Sequence, residues 1–390
     1  MTVRLASFNV ENLFARAKAL NLTTWAQGQP VLAAFDRFNT LAAHAEYTEA
    51  DKAEMLTALA VMEILKRDGV GRLVLNPNPF TAWALLRENR GDFLKQPRNG
   101  GAEIVAVGRS SWIGWAELIT EPVDETATRM TAKVINEVAA DVLCMVEAED
   151  RPSLVRFNEE LLGSRYGHAM LVDGNDPRGI DVGLFCAAAI DIRSVRCHVD
   201  VPDPASPTGH PLFSRDCPVY RLGLPGGAEL VLLVNHLKSQ SFTHGNPDDL
   251  RSRQSAKVRS IYDEVRAAGA EFVAVLGDFN KGPTNDNQHP TLEPLLGPGT
   301  PLTDTAALPV FDPGPRPGTF QSCSLRNRLD YILVSPELAA KITAGGVCRK
   351  GLWGTPTNQN PPRDWTIFPE ITKSMEAASD HAAVWVDIDL

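Results

Sequence analysis

Seven short apolar segments recur along the chain, and charged or amide side chains stand where they start or stop. Several of the segments are rich in valine, isoleucine and leucine and lack clean alternation of apolar and polar residues. Strands of this composition are usually covered on both faces, so each segment predicts a buried β-strand. The seven candidates span residues 3–8, 141–146, 181–186, 229–234, 272–276, 329–334 and 383–388.

Helical patterns lie between some of these strand candidates. Residues 124–138 and 250–267 each place three aliphatic or methionine side chains along one face of a helix. Strands mixed with helices on this scale predict an α/β fold in which the sheets are buried beneath helices.

Residues 15–123 do not show this pattern of buried strands mixed with helices. They contain one clear helical pattern, for which Thr48 is the expected N-cap and Gly69 the expected stop. The rest of the segment is predicted to be irregular, with its tryptophans serving local packing. We interpret residues 15–123 as a long insertion after the first strand, within a single domain that spans residues 1–390.

Length and charge restrict the classes of function. The chain has 390 residues, of which 44% are apolar, so one large domain is allowed. A net charge of -10 makes it a poor general attractor of nucleic acid, although a local basic groove or bound metal ions are compatible with it. The six cysteines contain no Cys-x-x-Cys pair and are expected to be reduced core thiols. No signal-peptide pattern or membrane-spanning segment is found, and a cytoplasmic location is expected.

Chemically active side chains recur at the ends of the strand candidates. A single aspartate or asparagine in such a place is usually a turn former or a cap, and a single histidine is usually a partly buried structural residue. The whole set is harder to explain in this way, because carboxylates at apolar strand ends are costly to desolvate unless they are paired or bind metal. The set comprises Asn9, Glu11, Glu147, Arg178, Asp181, Asn235, His236, Asp278, Asn280, Asp330, Asp380 and His381.

The residue types in this set indicate one kind of chemistry. Oxygen ligands without cysteine suit a hard cation such as Mg²⁺ or Mn²⁺. Two histidines with nearby aspartates suit proton transfer and anion stabilisation near neutral pH. Together they predict metal-assisted attack on a phosphate ester.

Six motifs, in their order along the chain, carry a family resemblance. They are N-V-E-N at 9–12, V-E at 146–147, N-H-L-K-S at 235–239, G-D-F-N at 277–280, L-D-Y-I-L-V-S at 329–335 and S-D-H at 379–381. The pattern resembles the endonuclease/exonuclease/phosphatase superfamily, which includes deoxyribonuclease I, over residues 1–14 and 124–390. The resemblance implies a four-layer α/β sandwich, with two mixed β-sheets face to face, helices outside them and the active site at one end.

The resemblance also implies catalytic roles for five residues. Asp278 would position or deprotonate the attacking water, and Asn280 would hold the phosphate or that water. His236 would donate to a phosphate oxygen. Asp330 would orient His381, which would stabilise the charge that develops on the phosphate. The implied reaction is a single in-line displacement by water, without a covalent enzyme intermediate.

Metal and phosphate contacts are implied for the remaining residues. Glu147 would be the main Mg²⁺ ligand, with Mn²⁺ as the alternative ion, and Asp380 would complete the metal side. Glu11 is a weaker third ligand, because some branches of the superfamily carry Asp or Asn there. Asn9 would lie beside the metal and the reacting phosphate. Arg178 fits phosphate binding, but for Arg178 and for Asp181 a plain structural role stands as an even alternative.

Three functions compete at this stage. The first, slightly favoured, is a Mg²⁺-dependent nuclease acting on DNA or RNA, for which the helix at 250–267 offers a cluster of basic residues, although a solvated basic face is the simpler explanation of that cluster. The second is a phosphatase or phosphodiesterase acting on a small molecule or a lipid headgroup, which the acidic balance and the insertion favour. The third is an inactive binding module, which the presence of every expected catalytic residue type disfavours.

Overall fold

The computed structural model describes residues 1–13, 15–22, 24–98, 100–123, 125–241, 246–355 and 364–390. The chain divides into two compact units. The first comprises Met1–Phe14 and Asp124–Leu390, and the second comprises Ala15–Val123. Within the described ranges, no helix is long and apolar enough to cross a lipid bilayer.

Strand β1 (Thr2–Leu13) begins the first unit, and the chain then forms the whole of the second unit. Among its described residues, the second unit contains two α-helices and four antiparallel strand pairs, β2–β9, β3–β4, β5–β8 and β6–β7. The prediction that most of this segment is irregular is therefore wrong. Its elements are β2 (Ala15–Ala17), α1 (Trp25–Ala42), α2 (Glu49–Val61), β3 (Leu65–Arg67), β4 (Leu73–Leu75), β5 (Ala84–Arg90), β6 (Leu94–Lys95), β7 (Glu103–Ile104), β8 (Ile113–Leu118) and β9 (Thr120–Pro122).

Helix α2 begins where the sequence predicts and ends earlier. The Oγ1 atom of Thr48 accepts a hydrogen bond from the backbone N–H of Asp51 at 3.1 Å, which confirms the predicted N-cap. The helix ends at Val61 rather than at Gly69, because residues 65–67 leave it to pair with residues 73–75.

Aromatic packing gives the second unit a core of its own. Phe93 packs against Phe38 and Trp112, with ring centroids 5.7 and 4.2 Å away. The Nε1–H of Trp112 donates to the hydroxyl of Tyr47 at 2.9 Å. Trp112 thus serves local packing, as predicted for the tryptophans of this segment.

The chain then returns to complete the first unit. All seven predicted strands and both predicted helices are present there, together with further strands and the helices α4, α6 and α7. The elements are α3 (Thr126–Val138), β10 (Val142–Ala148), α4 (Arg151–Glu160), β11 (His168–Val172), β12 (Asp181–Cys186), β13 (Asp191–Arg196), β14 (Val219–Gly223), β15 (Glu229–His236), α5 (Pro247–Ala267), β16 (Phe272–Asp278), α6 (Glu293–Leu296), β17 (Thr303–Asp304), β18 (Phe311–Asp312), β19 (Asp330–Val334), α7 (Pro336–Ala339), β20 (Ile342–Cys348) and β21 (Ala383–Asp389).

Two mixed β-sheets organise these elements. The seven-stranded sheet has the order β11-β12-β10-β1-β21-β20-β18, and the six-stranded sheet has the order β13-β14-β15-β16-β19-β17. In the first sheet β1 runs parallel to β10 and antiparallel to β21. In the second sheet β15 runs parallel to β16, which runs antiparallel to β19.

The sheets pack face to face, and helices cover their outer faces. One buried cluster draws apolar side chains from both sheets and fills the space between them. A second cluster joins α3 and α4 to the outer face of the seven-stranded sheet, and a third joins α5 and α6 to the outer face of the six-stranded sheet. Burial on both faces explains the continuous apolar composition of the strands. The predicted four-layer sandwich is confirmed.

Strand direction decides where the polar strand ends meet. The carboxyl ends of β1 and β10 lie at one edge of the first sheet, and those of β15 and β16 lie at one edge of the second. Strands β19 and β21 run the opposite way, so their first residues lie at these same edges. Hydrogen bonds between the two edges bring them together at one end of the sandwich.

Candidate active site

A β-bulge in β10 directs Glu147 toward this end. The pairing of β10 with β12 shifts between Val146 and Ala148, and Glu147 adopts a φ of 69° there. A bulge of this kind turns the extra side chain away from its regular direction in the sheet. The Oε1 atom of Glu147 lies 3.7 Å from Nε2 of His236, a residue of the other sheet.

A glycine places the neighbouring aspartate. Gly277 has a φ of 130°, and a Cβ atom at this position would lie 1.9 Å from the carbonyl oxygen of Asn235. Only glycine therefore allows β16 to approach β15 this closely. The strand pairing sets Asp278 beside His236, with 3.8 Å between Oδ2 of the first and Nε2 of the second.

Both carboxylate oxygens of Asp278 are held by hydrogen bonds. Oδ1 accepts from the backbone N–H of Asn280 at 2.7 Å. Oδ2 accepts from the side-chain amides of Asn9 at 3.1 Å and Asn280 at 3.2 Å. Asp278 is 1% exposed, and burial, with a further contribution from the nearby Asp330, raises its pKa to about 7.

Two buried hydrogen bonds in series orient His381. Nδ1 of His381 lies 2.8 Å from Oδ2 of Asp330, and this same oxygen accepts from the hydroxyl of Thr319 at 2.6 Å. Nε2 of His381 lies 3.8 Å from Oδ2 of Asp278. Burial opposes the charge on His381, but Asp330 and Asp278 outweigh it and raise the pKa of the imidazole well above its ordinary value. This shift favours the imidazolium form of His381.

Ser379 joins the first and last strands at this point. Its hydroxyl donates to the carbonyl oxygen of Asn9 at 2.7 Å and accepts from the backbone N–H of His381 at 2.9 Å. The serine of the S-D-H motif thus fixes the backbone that carries Asp380 and His381.

Three carboxylates, Glu11, Glu147 and Asp380, form an acidic group beside His381. Oε2 of Glu11 accepts from the backbone N–H of Asp380 at 2.8 Å. Desolvation, repulsion from Asp380 and a smaller effect of Glu147 raise the pKa of Glu11 to about 7, and burial raises the pKa of Asp380. Oxygen donors whose charges repel one another in this way suit a hard divalent cation. The predicted metal ligands therefore fit such an ion.

A second arrangement of ligand atoms occurs nearby. Asp278, Asp330 and His381 offer ligand atoms within 4.8 Å of one another. His381 and Asp330 already contact each other at 2.8 Å, and a charged imidazole has no lone pair for a metal. The chemistry of this group is therefore better suited to proton transfer and charge stabilisation than to metal binding.

Arg178 and Asp181 occupy different surroundings. Asp181 is buried at the start of β12, where Oδ1 accepts from the backbone N–H of Gly174 at 2.8 Å. This contact favours the structural alternative for Asp181. Arg178 is exposed and forms a two-pronged ion pair with Asp176, through Nε at 3.0 Å and Nη2 at 2.8 Å. It lies on the loop between β11 and β12, near Glu147 and His236.

Sequence reasoning missed three residues of this site. Thr319 binds Asp330, and both Asp176 and the buried Arg215 belong to the surroundings of Arg178. None of the three lies at the end of a predicted strand, and none belongs to a motif that the sequence analysis used. Their contacts span 2 to 39 positions of the chain, so only the folded backbone reveals them.

The chain is also similar to known proteins. Residues 124–381 match the model of the endonuclease/exonuclease/phosphatase family. No match was found among curated proteins.

Solved structures with a similar fold include mannosyl-6-phosphatase from Bacteroides thetaiotaomicron (17% identity, TM-score 0.48, covering 68% of this chain and 91% of that one). Truncated TDP2 from Caenorhabditis elegans is also similar (16% identity, TM-score 0.45, covering 68% of this chain and 91% of that one). The human Nocturnin catalytic domain with bound sulfate is similar as well (16% identity, TM-score 0.46, covering 67% of this chain and 86% of that one).

Proposed function

This chain belongs to the endonuclease/exonuclease/phosphatase family, and from this premise we propose that it is a Mg²⁺-dependent phosphoesterase that uses water as its nucleophile. One observation carries the proposal. The buried pair of Asp278 and Asp330 with the imidazolium of His381 lies beside the acidic group of Glu11, Glu147 and Asp380. A base, a cation and a set of oxygen ligands at one place are the groups that attack on a phosphate ester requires.

Glu147 and Asp380 would hold the metal ion, with Glu11 as the third carboxylate. When bound, Mg²⁺ supplies positive charge to the phosphate oxygens, and Mn²⁺ can replace it with the same kind of donors. Glu11 also keeps the loop of Asp380 in place through the hydrogen bond to its backbone N–H. Loss of Glu11 would therefore disturb the metal site in two ways.

Asp278 would accept a proton from the attacking water. A carboxylate with a pKa near the working pH is well matched to this task, and burial provides that match here. The amides of Asn9 and Asn280 fix its oxygens, so the carboxylate does not need to reorganise. Attack in line with the leaving oxygen requires no nucleophilic side chain.

His381 would stabilise the negative charge that builds up on the phosphate oxygens. Asp330 holds its Nδ1 side, which leaves the Nε2–H free to face Asp278 and Asp380. Thr319 in turn fixes the oxygen of Asp330 that accepts this bond. The arrangement orients the imidazolium before substrate binds.

His236 and Arg178 would contact the phosphate itself. Burial keeps the pKa of His236 well below its ordinary value, so the ring is neutral. A neutral imidazole still donates one hydrogen bond, and Nε2, near Glu147 and Asp278, is the atom that faces the site. Arg178 offers a second, charged donor at the exposed rim.

The basic residues of α5 bear on the choice of substrate. Arg251 is buried and pairs with Asp248, and Arg253 pairs with Asp203 at 2.8 Å. The remaining two follow the same pattern, with Lys257 near Glu264 and Arg259 paired with Asp263. A neutralised helix face gives little attraction for a nucleic-acid backbone. This observation favours the second candidate, a phosphatase or phosphodiesterase acting on a small molecule, over the nuclease.

One experiment separates the two candidates. Supercoiled plasmid, bis-p-nitrophenyl phosphate and p-nitrophenyl phosphate are incubated with the protein in Mg²⁺ and in EDTA, with Asp278→Asn as the control variant. We expect metal-dependent cleavage of a small ester that the variant lacks. Nicking of plasmid that needs both Mg²⁺ and Asp278 would establish the nuclease instead. No metal-dependent cleavage of any of the three would contradict the proposed function for these ester classes.

A further inference from the structure

The buried guanidinium of Arg215 joins the two sheets beside the candidate site. Arg215 lies in the connection between β13 and β14, which belong to the six-stranded sheet, and its side chain is 3% exposed. Nη1 donates to Oδ2 of Asp176 at 3.1 Å, on the loop between two strands of the other sheet. Nη2 donates to the carbonyl oxygen of Leu237 at 2.8 Å, directly after β15. A buried charge of this kind is retained only with such partners.

Asp176 binds two arginines, one of which is buried and the other exposed. Its Oδ2 atom accepts from the buried Arg215 and also from the exposed Arg178, at 2.8 Å, while Oδ1 accepts from Nε and from the backbone N–H of Arg178, both at 3.0 Å. The side chain of Asp176 is 5% exposed and that of Arg178 is 61% exposed. The order of contacts therefore runs from the buried arginine, through the aspartate, to the arginine at the surface.

The other end of this connection reaches a catalytic residue. The carbonyl oxygen of Leu237 accepts from Arg215 and also from the side-chain amide of Asn280 at 3.1 Å. The same amide donates to Asp278. One carbonyl oxygen thus ties the loop of Arg178 to the backbone of the catalytic strand ends.

Backbone contacts fix the loop of Arg178 to the same segment. The backbone N–H of Asn175 donates to the carbonyl oxygen of Ser214 at 2.7 Å, and its side-chain amide donates to the carbonyl oxygen of Phe213 at 3.1 Å. The loop therefore has few ways to move unless the segment that carries Arg215 moves with it. An exposed arginine on a mobile loop would lose more conformational entropy on binding a phosphate.

We propose that Asp176 and Arg215 are positioning residues, which hold the guanidinium of Arg178 in the orientation that binds the substrate phosphate. The inference rests on the proposed function, because it takes the phosphate to be the ligand of Arg178. It adds two residues that act through Arg178 and do not touch the substrate. A guanidinium held in this way presents a donor to a phosphate oxygen at less cost in entropy than a free side chain does.

Binding of inorganic phosphate tests the positioning role without relying on turnover. Isothermal titration would compare the wild type with Arg178→Ala, Asp176→Asn and Arg215→Lys, in Mg²⁺ and in EDTA. We expect each substitution to weaken phosphate binding about tenfold, in the range of one charge-assisted hydrogen bond. In the Arg178→Ala background, Asp176→Asn and Arg215→Lys should change the affinity less than about twofold, because the residue through which they act is gone.

The direction of the Asp176→Asn effect separates positioning from simple neutralisation. If Asp176 only cancelled the charge of Arg178, its removal would leave the site more positive and phosphate would bind more tightly. Tighter binding, or additive effects with Arg178→Ala, would overturn the proposal, as would a wild type that binds no phosphate. If Arg215→Lys fails to fold, Asp176→Asn alone decides the matter.

Arg4→Lys provides a matched control. Arg4 also joins an aspartate, Asp387, to a backbone carbonyl, that of Val138, but near the start of β1 and so away from the site. It should leave phosphate binding unchanged. Hydrolysis of bis-p-nitrophenyl phosphate by the wild type is measured in parallel, so absent turnover with intact coupling in the phosphate titration would count against the proposed reaction and not against the positioning role.

Discussion

Asp278 and Asp330 stand opposite each other on the antiparallel strands β16 and β19, and both carboxylates are buried. Like charges in directly opposed positions of a sheet repel each other. The imidazolium of His381 offsets this repulsion, because Nδ1 binds Asp330 and Nε2 faces Asp278. The base and the cation of the proposed mechanism therefore depend on each other electrostatically.

Asp278→Asn should abolish nearly all turnover and leave the protein folded. Asparagine keeps the size of the side chain and removes one of two opposed buried charges, but its amide nitrogen would face an N–H donor where Asp278 offers an oxygen. We therefore expect a folded protein with a modest loss of stability, whereas loss of a general base lowers the rate by about 10² to 10⁴. The rate of bis-p-nitrophenyl phosphate cleavage and the thermal unfolding temperature measure the two effects. Activity near that of the wild type would show that the role assigned to Asp278 is wrong.

His381→Ala should also remove nearly all turnover, for a different reason. In the proposed mechanism the change deletes the cation that faces the developing charge, and it leaves Asp330 without its charged partner. We expect a folded protein whose kcat falls far more than its KM rises. His289→Ala is the matched control, since His289 is a partly buried histidine on the segment that follows β16, and it should keep normal kinetics. An active His381→Ala variant would remove the histidine from the mechanism.

Mg²⁺ should stabilise the wild type against thermal unfolding, and Glu147→Gln should reduce this effect. A ligand that binds only the folded state adds about 2.7 kcal/mol at a hundredfold excess over its Kd. Loss of one carboxylate weakens the site, so a higher Mg²⁺ concentration would be needed for the same shift. Glu137→Gln, which removes a carboxylate of α3 that pairs with Lys350, should respond to Mg²⁺ as the wild type does. Equal shifts in all three proteins would place the metal elsewhere.

Gly277→Ala should destabilise the protein strongly. The new methyl group would meet the carbonyl oxygen of Asn235 at 1.9 Å, and the φ of 130° is unfavourable for any side chain. We expect a loss of about 3 kcal/mol or more, from steric overlap and backbone strain together. Urea denaturation measures it, with Gly226→Ala as control, because the nearest atom there would be 3.6 Å away. A loss below about 1 kcal/mol, the size of an average point substitution, would contradict the close approach of the strands.

Asp176 should contribute to the stability of the fold at neutral pH and lose this contribution in acid. Burial opposes its charge, but hydrogen bonds from Arg178 and attraction to Arg215 lower its pKa from 3.8 to about 2. A group whose pKa is lower in the folded state stabilises the fold above its unfolded pKa, and this contribution is lost as the pH falls through the folded value. The stability difference between wild type and Asp176→Asn should be constant at neutral pH and shrink from about pH 4 downward. Urea titrations at several pH values test this, and a difference that does not change with pH would exclude the ion pair as its source.

Local signals in the sequence predict the buried strands and the polar residues at their ends, and the family resemblance adds the sandwich and the position of the site. Each apolar run identifies a buried strand, and each polar tip marks a strand end, so Asn9, His236, Asp278 and His381 need no knowledge of distant contacts. The roles given to them remain predictions, but the structure brings these residues together.

The rest depends on geometry that a linear pattern does not contain. The direction of the Glu147 side chain comes from a bulge. The hydrogen bonds of Arg215 form only because two loops of different sheets lie next to each other in the fold. Edge strands such as β13 escape the pattern because most of their residues are exposed and few are apolar. Helix α1 is not predicted from the sequence, and Pro30 inside it contributes to this, because proline in a helix interior removes a backbone hydrogen bond and usually indicates a break.

The pairing of β2 with β9 has a consequence for the evolution of the chain. Ala15 lies opposite Pro122 and Ala17 opposite Thr120, so the chain enters and leaves the second unit at adjacent positions. A segment with neighbouring ends can be gained or lost in a single genetic event, because the backbone on either side of it needs no lengthening to close the gap. A tight two-residue turn between β2 and β9 would replace residues 18–119. The second unit is therefore a natural candidate for exchange by recombination, while the strands that carry the candidate catalytic residues stay the same.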